Sequence, residues 1–130
     1  MFFFDEEKPK KNDNRPPIGT TLYTVEEHLY YAAERHGPFL EYIVFAGEVK
    51  EHLDGPKKLM CLRGRSPDGY INLTYRSLRD IGEKVFFTAR EAALLAKAMT
   101  EDYERRWAWT ERWGDVPLRR PWENLLKEGA

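Results

Sequence analysis

Nucleophilic, acid–base and metal chemistry each need particular residue types brought close together, and this sequence offers few of them. Serine occurs only as Ser66 and Ser77, and neither stands in the Gly-x-Ser-x-Gly setting that exposes a nucleophile on a strand-to-helix turn. Cys61 lies alone in an apolar run, where a thiol is expected to be buried and inert. His28, His36 and His52 are the other metal-ligating side chains, but His28 and His36 are eight residues apart, and no Cys-x-x-Cys frame accompanies them. Glu26, Glu27 and Glu34 are the carboxylates nearest to an acid–base set, and their simpler reading is a solvated face. No glycine-rich loop is present to cradle phosphate. The expectation is a protein that is not an enzyme and holds neither metal nor cofactor.

Binding chemistry is better represented. Aromatic residues make up 14% of the chain, and all four Trp fall between positions 107 and 122, interleaved with Arg105, Arg106, Arg112, Arg119 and Arg120. Trp and Arg together dominate binding hot spots, so Trp109, Trp113, Arg112 and Arg119 are the expected partner-binding residues. The alternative is that the tail folds back and these rings complete the core. A second arrangement is the basic middle of the chain. Residues 57–90 carry eight Lys/Arg against three Asp/Glu, whereas residues 1–56 carry six against eleven and residues 91–130 carry seven against eight. Arg63, Arg65, Arg76 and Arg79, set around Tyr70 and Tyr75, could form a nucleic-acid face with stacking rings, or simply be solvated charge. Salt separates the two binding readings, because phosphate contacts weaken steeply as salt rises.

The elements that would position these groups can be read locally. Residues 5–17 contain charge, Pro and Asn with almost nothing apolar, the composition of a flexible arm. Thr20 to Tyr23 reads as a first strand. Thr24 and Glu27 have capping-box spacing, so a helix is expected over about residues 25–36, stopped by Gly37 and Pro38, with a continued strand as the alternative. Phe39 to Val49 is a strand, expected to bend at Gly47. Asp54-Gly-Pro56 and Ser66-Pro-Asp-Gly69 are turns that bracket a strand from Lys58 to Arg63. Tyr70 to Tyr75 follows, with Ile71, Leu73 and Tyr75 on one face. Val85 to Phe87 is a last short strand. It leads into a long helix capped by Thr88 and Glu91, whose expected stripe is Ala92, Ala96, Met99, Tyr103 and Trp107. That helix is expected to run to Gly114, and a short final helix should follow Pro121.

Short antiparallel strands joined by tight turns give an α+β class, as a small curled antiparallel sheet or SH3-like barrel with a long C-terminal helix. The expected organisation is an arm over residues 1–17, one domain over 18–113, and a Trp/Arg-containing tail over 114–130. A net charge of −1 argues against attachment to nucleic acid through overall charge. A single cysteine fits a reducing, cytoplasmic setting. No run approaches the roughly 18 apolar residues of a membrane span, and Phe2 to Phe4 is cut off at once by Asp5, Glu6 and Glu7, so no membrane partner is expected.

The Ile18-Gly-Thr-Thr-Leu-Tyr23 opening, Gly47-Glu-Val49 and Asp80-Ile-Gly-Glu-Lys-Val-Phe-Phe-Thr-Ala-Arg-Glu-Ala92 together resemble small proteins of prophages and other mobile elements of Gram-positive gut bacteria. The likeness covers roughly residues 18–100. It implies a small SH3-like barrel followed by a helix, and it brings no catalytic residues. The expected helix at 25–36 and the Trp-rich end depart from the pattern. Small, catalytically empty proteins of mobile elements often act by binding. The resemblance therefore implies an anti-CRISPR-like inhibitor whose partner is a host protein such as a defence nuclease, with an accessory nucleic-acid-binding barrel as the alternative.

Overall fold

The computed structural model describes residues 14–31, 38–107 and 118–128. Leu22, Thr24 and Tyr30 are buried between more exposed neighbours, and the whole run Thr21–Tyr31 is strand β1. The helix expected over residues 25–36 is therefore not formed through Tyr31, where the chain is strand, and residues 32–36 lie outside the described residues. Thr24 and Glu27 imitate a helix cap, but the Thr24 hydroxyl donates to Glu26 at 3.0 Å within the strand. β1 pairs antiparallel with β2 (Pro38–His52) from Thr21↔Glu48 to Tyr31↔Pro38, and this long-range ladder overrides the local signal.

β3 (Leu59–Arg65) and β4 (Ile71–Ser77) continue the meander. A 3-10 turn at Leu78–Asp80 then leads into β5 (Val85–Phe86). The turn has its own reciprocal cap: the Ser77 hydroxyl accepts from the Arg79 amide, and the Asp80 carboxylate accepts from the Ser77 amide. Neighbouring strands are antiparallel in the order β4-β3-β2-β1-β5, an open, curled sheet in an α+β fold. The bend expected at Gly47 lies further on, where the β2–β3 register shifts between Val49 and Glu51. Gly47 itself stays in the ladder. A Cβ there would come within 2.9 Å of Leu62 Cβ and 3.0 Å of Phe45 Cε2, so the bare backbone makes room for the Phe45 ring.

The inner face of the curl carries Leu22, Val49, Met60, Leu62 and Val85, with Ile81 packed against them. The outer face of β1 and β2 is covered by helix α1 (Ala89–Trp107) and by α2 (Glu123–Glu128), the short helix expected after Pro121. Ala93 and Ala96 let α1 approach Tyr42 closely, while Val25, Val44, Met99 and Trp122 fill the space around them. At the start of α1 the Glu91 amide donates to the Thr88 hydroxyl at 3.2 Å, and that hydroxyl donates to the Glu91 carboxylate at 2.7 Å. Loss of this cap in Thr88→Ala is expected to cost about 1 kcal/mol, read as a lower midpoint in chemical denaturation.

Both ends of the described chain are fastened. Residues 118–120 strap across the β1–β2 hairpin, with Leu118 buried against Tyr30 and Phe39. Arg120 grips Glu104 through two bonds of 2.7 and 3.0 Å, while Glu104 also accepts from the Leu118 amide. At the other end, Arg15 is buried and donates to the carbonyls of Leu53 and Leu59, and His52 bonds the Pro16 carbonyl. Arg15 and Pro16 thus contact the domain from inside the stretch read from composition as an arm, whose residues 5–13 lie outside the described residues.

Candidate functional site

β4 is built the unexpected way round. Its polar residues Asn72, Thr74 and Arg76 share the face of Met60 and Leu62, the inner one. Its apolar residues point outward: Ile71 is 44% exposed, Leu73 55% and Tyr75 50%, beside Tyr70 at 71%. Alternation in the sequence identifies which residues share a face, but not which face is covered. The inward choice is stabilised by a polar network at the seam between β4 and β1. Arg76 Nη2 bonds Glu26 Oε2 at 2.5 Å and Nη1 bonds Thr74 Oγ1 at 2.7 Å, while fully buried Thr24 donates to the same Glu26 oxygen. This ion pair joins strands that share no ladder hydrogen bonds.

Across the β3–β4 ladder, Arg65 faces Ile71, Arg63 faces Leu73 and Cys61 faces Tyr75. Cys61 is 4% exposed, and its hydrogen bond raises the Tyr75 phenol above its ordinary pKa. Arg65 is held to the Gly69 carbonyl at 2.8 Å, whereas the exposed Arg63 guanidinium has no hydrogen bond or ion pair among the described residues. The result is an outer patch of Ile71, Leu73 and Tyr75 bordered by two arginines on an edge strand.

The residues expected to form a nucleic-acid face are not all brought together. Arg63 and Arg65 share the outer patch with Tyr75, but Arg76 lies on the opposite face, tied to Glu26, and Arg79 sits apart in the exposed 3-10 turn. Of the expected partner-binding residues, Trp109, Arg112 and Trp113 lie outside the described residues. Arg119 is exposed, and its guanidinium stacks 3.9 Å over the Tyr30 ring as part of the strap. Trp122 takes the alternative reading for the tail and completes the core at 3% exposure. Ile71 and Leu73 were missed as surface residues because an apolar alternation ordinarily faces a core.

A second cluster holds the β3–β4 turn. His28 Nδ1 lies 2.9 Å from buried Glu41, and Nε2 lies 3.5 Å from Asp68 in the turn. The Glu41 hydrogen bond raises the His28 pKa above its ordinary 6.5, partial burial opposes this, and Asp68 adds to the rise. A carboxylate on each ring nitrogen favours imidazolium, which suits an electrostatic latch better than a general base. Because the folded pKa is raised, the stability His28 contributes is full below pH 6.5 and is lost as pH climbs through the folded value. The denaturation midpoint should therefore fall between pH 6 and the alkaline side of that transition, and His28→Gln should flatten the fall.

A cleft of about 690 Å³ opens at the β4–β1 seam, with Val25, Tyr75, Leu95 and Met99 as apolar lining and Arg76, Asp80, Glu83 and Lys84 as charged lining. Its size falls within the range of about 300–1,000 Å³ typical of small-molecule pockets. Among the described residues no group of three His, Cys, Asp or Glu side chains could hold a metal ion. No helix there is long and apolar enough to cross a membrane. No family model, no curated protein and no solved structure matches this chain.

Proposed function

We propose that this is a non-enzymatic protein-binding module that engages its partner through the outer face of the β3–β4 hairpin. The observation that carries this reading is the inverted strand. β4 turns Ile71, Leu73 and Tyr75 to solvent beside Arg63, which has no partner among the described residues. Exposed aliphatic and aromatic side chains with arginines at their border match the composition of a protein interface core and rim. Aliphatic side chains offer no stacking plane, so Ile71 and Leu73 favour protein over nucleic acid. The particular form that the likeness over residues 18–100 supports is a mobile-element inhibitor, anti-CRISPR-like, acting on a host protein such as a defence nuclease.

Arg63 and Arg65 beside Tyr70 and Tyr75 keep an accessory nucleic-acid-binding barrel as the second reading. Capture from a host lysate with and without nuclease treatment separates the two, with Leu73→Asp and Arg63→Glu as matched variants. The expected result is a protein retained after nuclease treatment and at raised salt, and depleted about tenfold or more by Leu73→Asp. Retention that disappears with nuclease, or that collapses with salt and depends on Arg63 but not Leu73, would overturn the protein-binding reading.

A further inference from the structure

We infer that the free edge of β4 takes up an extended segment of the partner as an added strand, with an apolar side chain at the Tyr75 cleft and a carboxylate at Arg63. This deepens the protein-binding reading and rests on it.

The ladder itself identifies the available backbone groups. The Ser66 amide donates to the Tyr70 carbonyl, so Ser66 and Tyr70 form a hydrogen-bonded pair. Bonded and non-bonded pairs alternate along an antiparallel ladder, which makes Arg65–Ile71, Arg63–Leu73 and Cys61–Tyr75 non-bonded pairs. The other end of the hairpin agrees: the Leu59 carbonyl accepts from Leu53, on the β2 side, so Leu59 turns away from Ser77. On β4, then, Ile71, Leu73 and Tyr75 direct their amides and carbonyls to the outer edge. Among the described residues no strand pairs there. The Tyr75 carbonyl accepts instead from Arg76 Nη1, at 2.9 Å. Ser77 turns outward too, but its amide is taken by the Asp80 carboxylate, and the other three residues with outward backbone groups are the three with exposed apolar side chains.

Devices that commonly blunt an edge are missing along Ile71–Thr74, and the one inward-pointing charge of β4, Arg76, lies toward its far end. β4 contains no Pro, no Lys and no register shift, and its seven residues stay in register with β3 throughout. A strand added here would lie about 4.8 Å from β4. Its residue opposite Tyr75 would face the cleft, whose apolar wall is Leu95 and Met99. Its residue opposite Leu73, two positions along and on the same face, would stand nearest Arg63. Charge complementarity therefore favours a segment with an apolar residue and Asp or Glu at i,i+2 spacing, recognised by backbone pairing plus alternate side chains.

The test displays random nine-residue peptides against the full chain, then resynthesises an enriched peptide. Expected are sequences with an apolar residue and a carboxylate two positions apart. N-methylation of amides in one alternate set should weaken binding about tenfold or more, with little effect in the other set, and Arg63→Glu should give a loss of similar size. Absence of enrichment, enrichment of basic or uncharged sequences, or equal tolerance of both N-methylated sets would overturn strand addition. If Leu73→Asp abolishes capture of the host protein while N-methylation has no effect, strand addition fails and the protein-binding reading stands. If host-protein capture ignores Leu73→Asp, the reading itself fails.

Discussion

Trp122→Ala is expected to lower stability by about 3–5 kcal/mol, the range for removing a large buried ring. The indole is 3% exposed and packs with Tyr42, Ala93 and Ala96, so truncation leaves a cavity where α1, α2 and the sheet meet. Its Nε1–H donates at 3.0 Å to the hydroxyl of Thr100, which is fully buried and in turn donates to the Ala96 carbonyl. The substitution therefore also removes a buried hydrogen bond. Trp122→Phe separates the two contributions, since it restores most of the volume and leaves the Thr100 hydroxyl with only its Ala96 bond. Chemical denaturation should rank wild type above Trp122→Phe and that above Trp122→Ala. Coincident midpoints would show that residues 118–128 are not part of the cooperative unit.

Gly64→Ala should also be disruptive, to a smaller extent, although it adds only one methyl group. A Cβ at Gly64 would overlap the Ala46 carbonyl oxygen and come within 2.8 Å of the Phe45 ring at Cζ. Overpacking of this kind costs about 1–3 kcal/mol, and a backbone oxygen fixed in a central strand yields less readily than a side chain. The measurement is the denaturation midpoint together with hydrogen exchange of β2 and β3 amides. Protection should drop in the half of the β2–β3 ladder nearest Gly64. Unchanged exchange would mean that the two strands are further apart than this packing requires.

How much of this was legible depended on whether the deciding interactions were local. The turns at Asp54–Pro56 and Ser66–Gly69, the Thr88 cap and the final helix after Pro121 are encoded within a few residues, and they appear where the sequence places them. The segment Thr24–Tyr31 was misread because its cap-like spacing is local, whereas the ladder that makes it strand comes from residues 38–48. The outward face of β4 was illegible for a related reason. Whether Ile71 or Arg76 turns inward depends on Glu26, 50 residues from Arg76, which supplies the inner partner for a half-buried guanidinium. Composition likewise hid Arg15, because a charged residue among prolines gives no sign of two carbonyls waiting at Leu53 and Leu59.

That anchoring by Arg15 bears on where the chain can be trimmed. The Leu53 and Leu59 carbonyls that it holds stand at the two ends of the β2–β3 turn, on the side of β3 turned away from Ser77. Cutting the chain back to Ile18, the domain start that composition suggests, would remove the guanidinium that clasps this turn together with the Pro16 carbonyl that His52 bonds. A boundary drawn by composition is thus not neutral for this molecule: a version beginning at Ile18 should unfold at a lower denaturant concentration than the full chain.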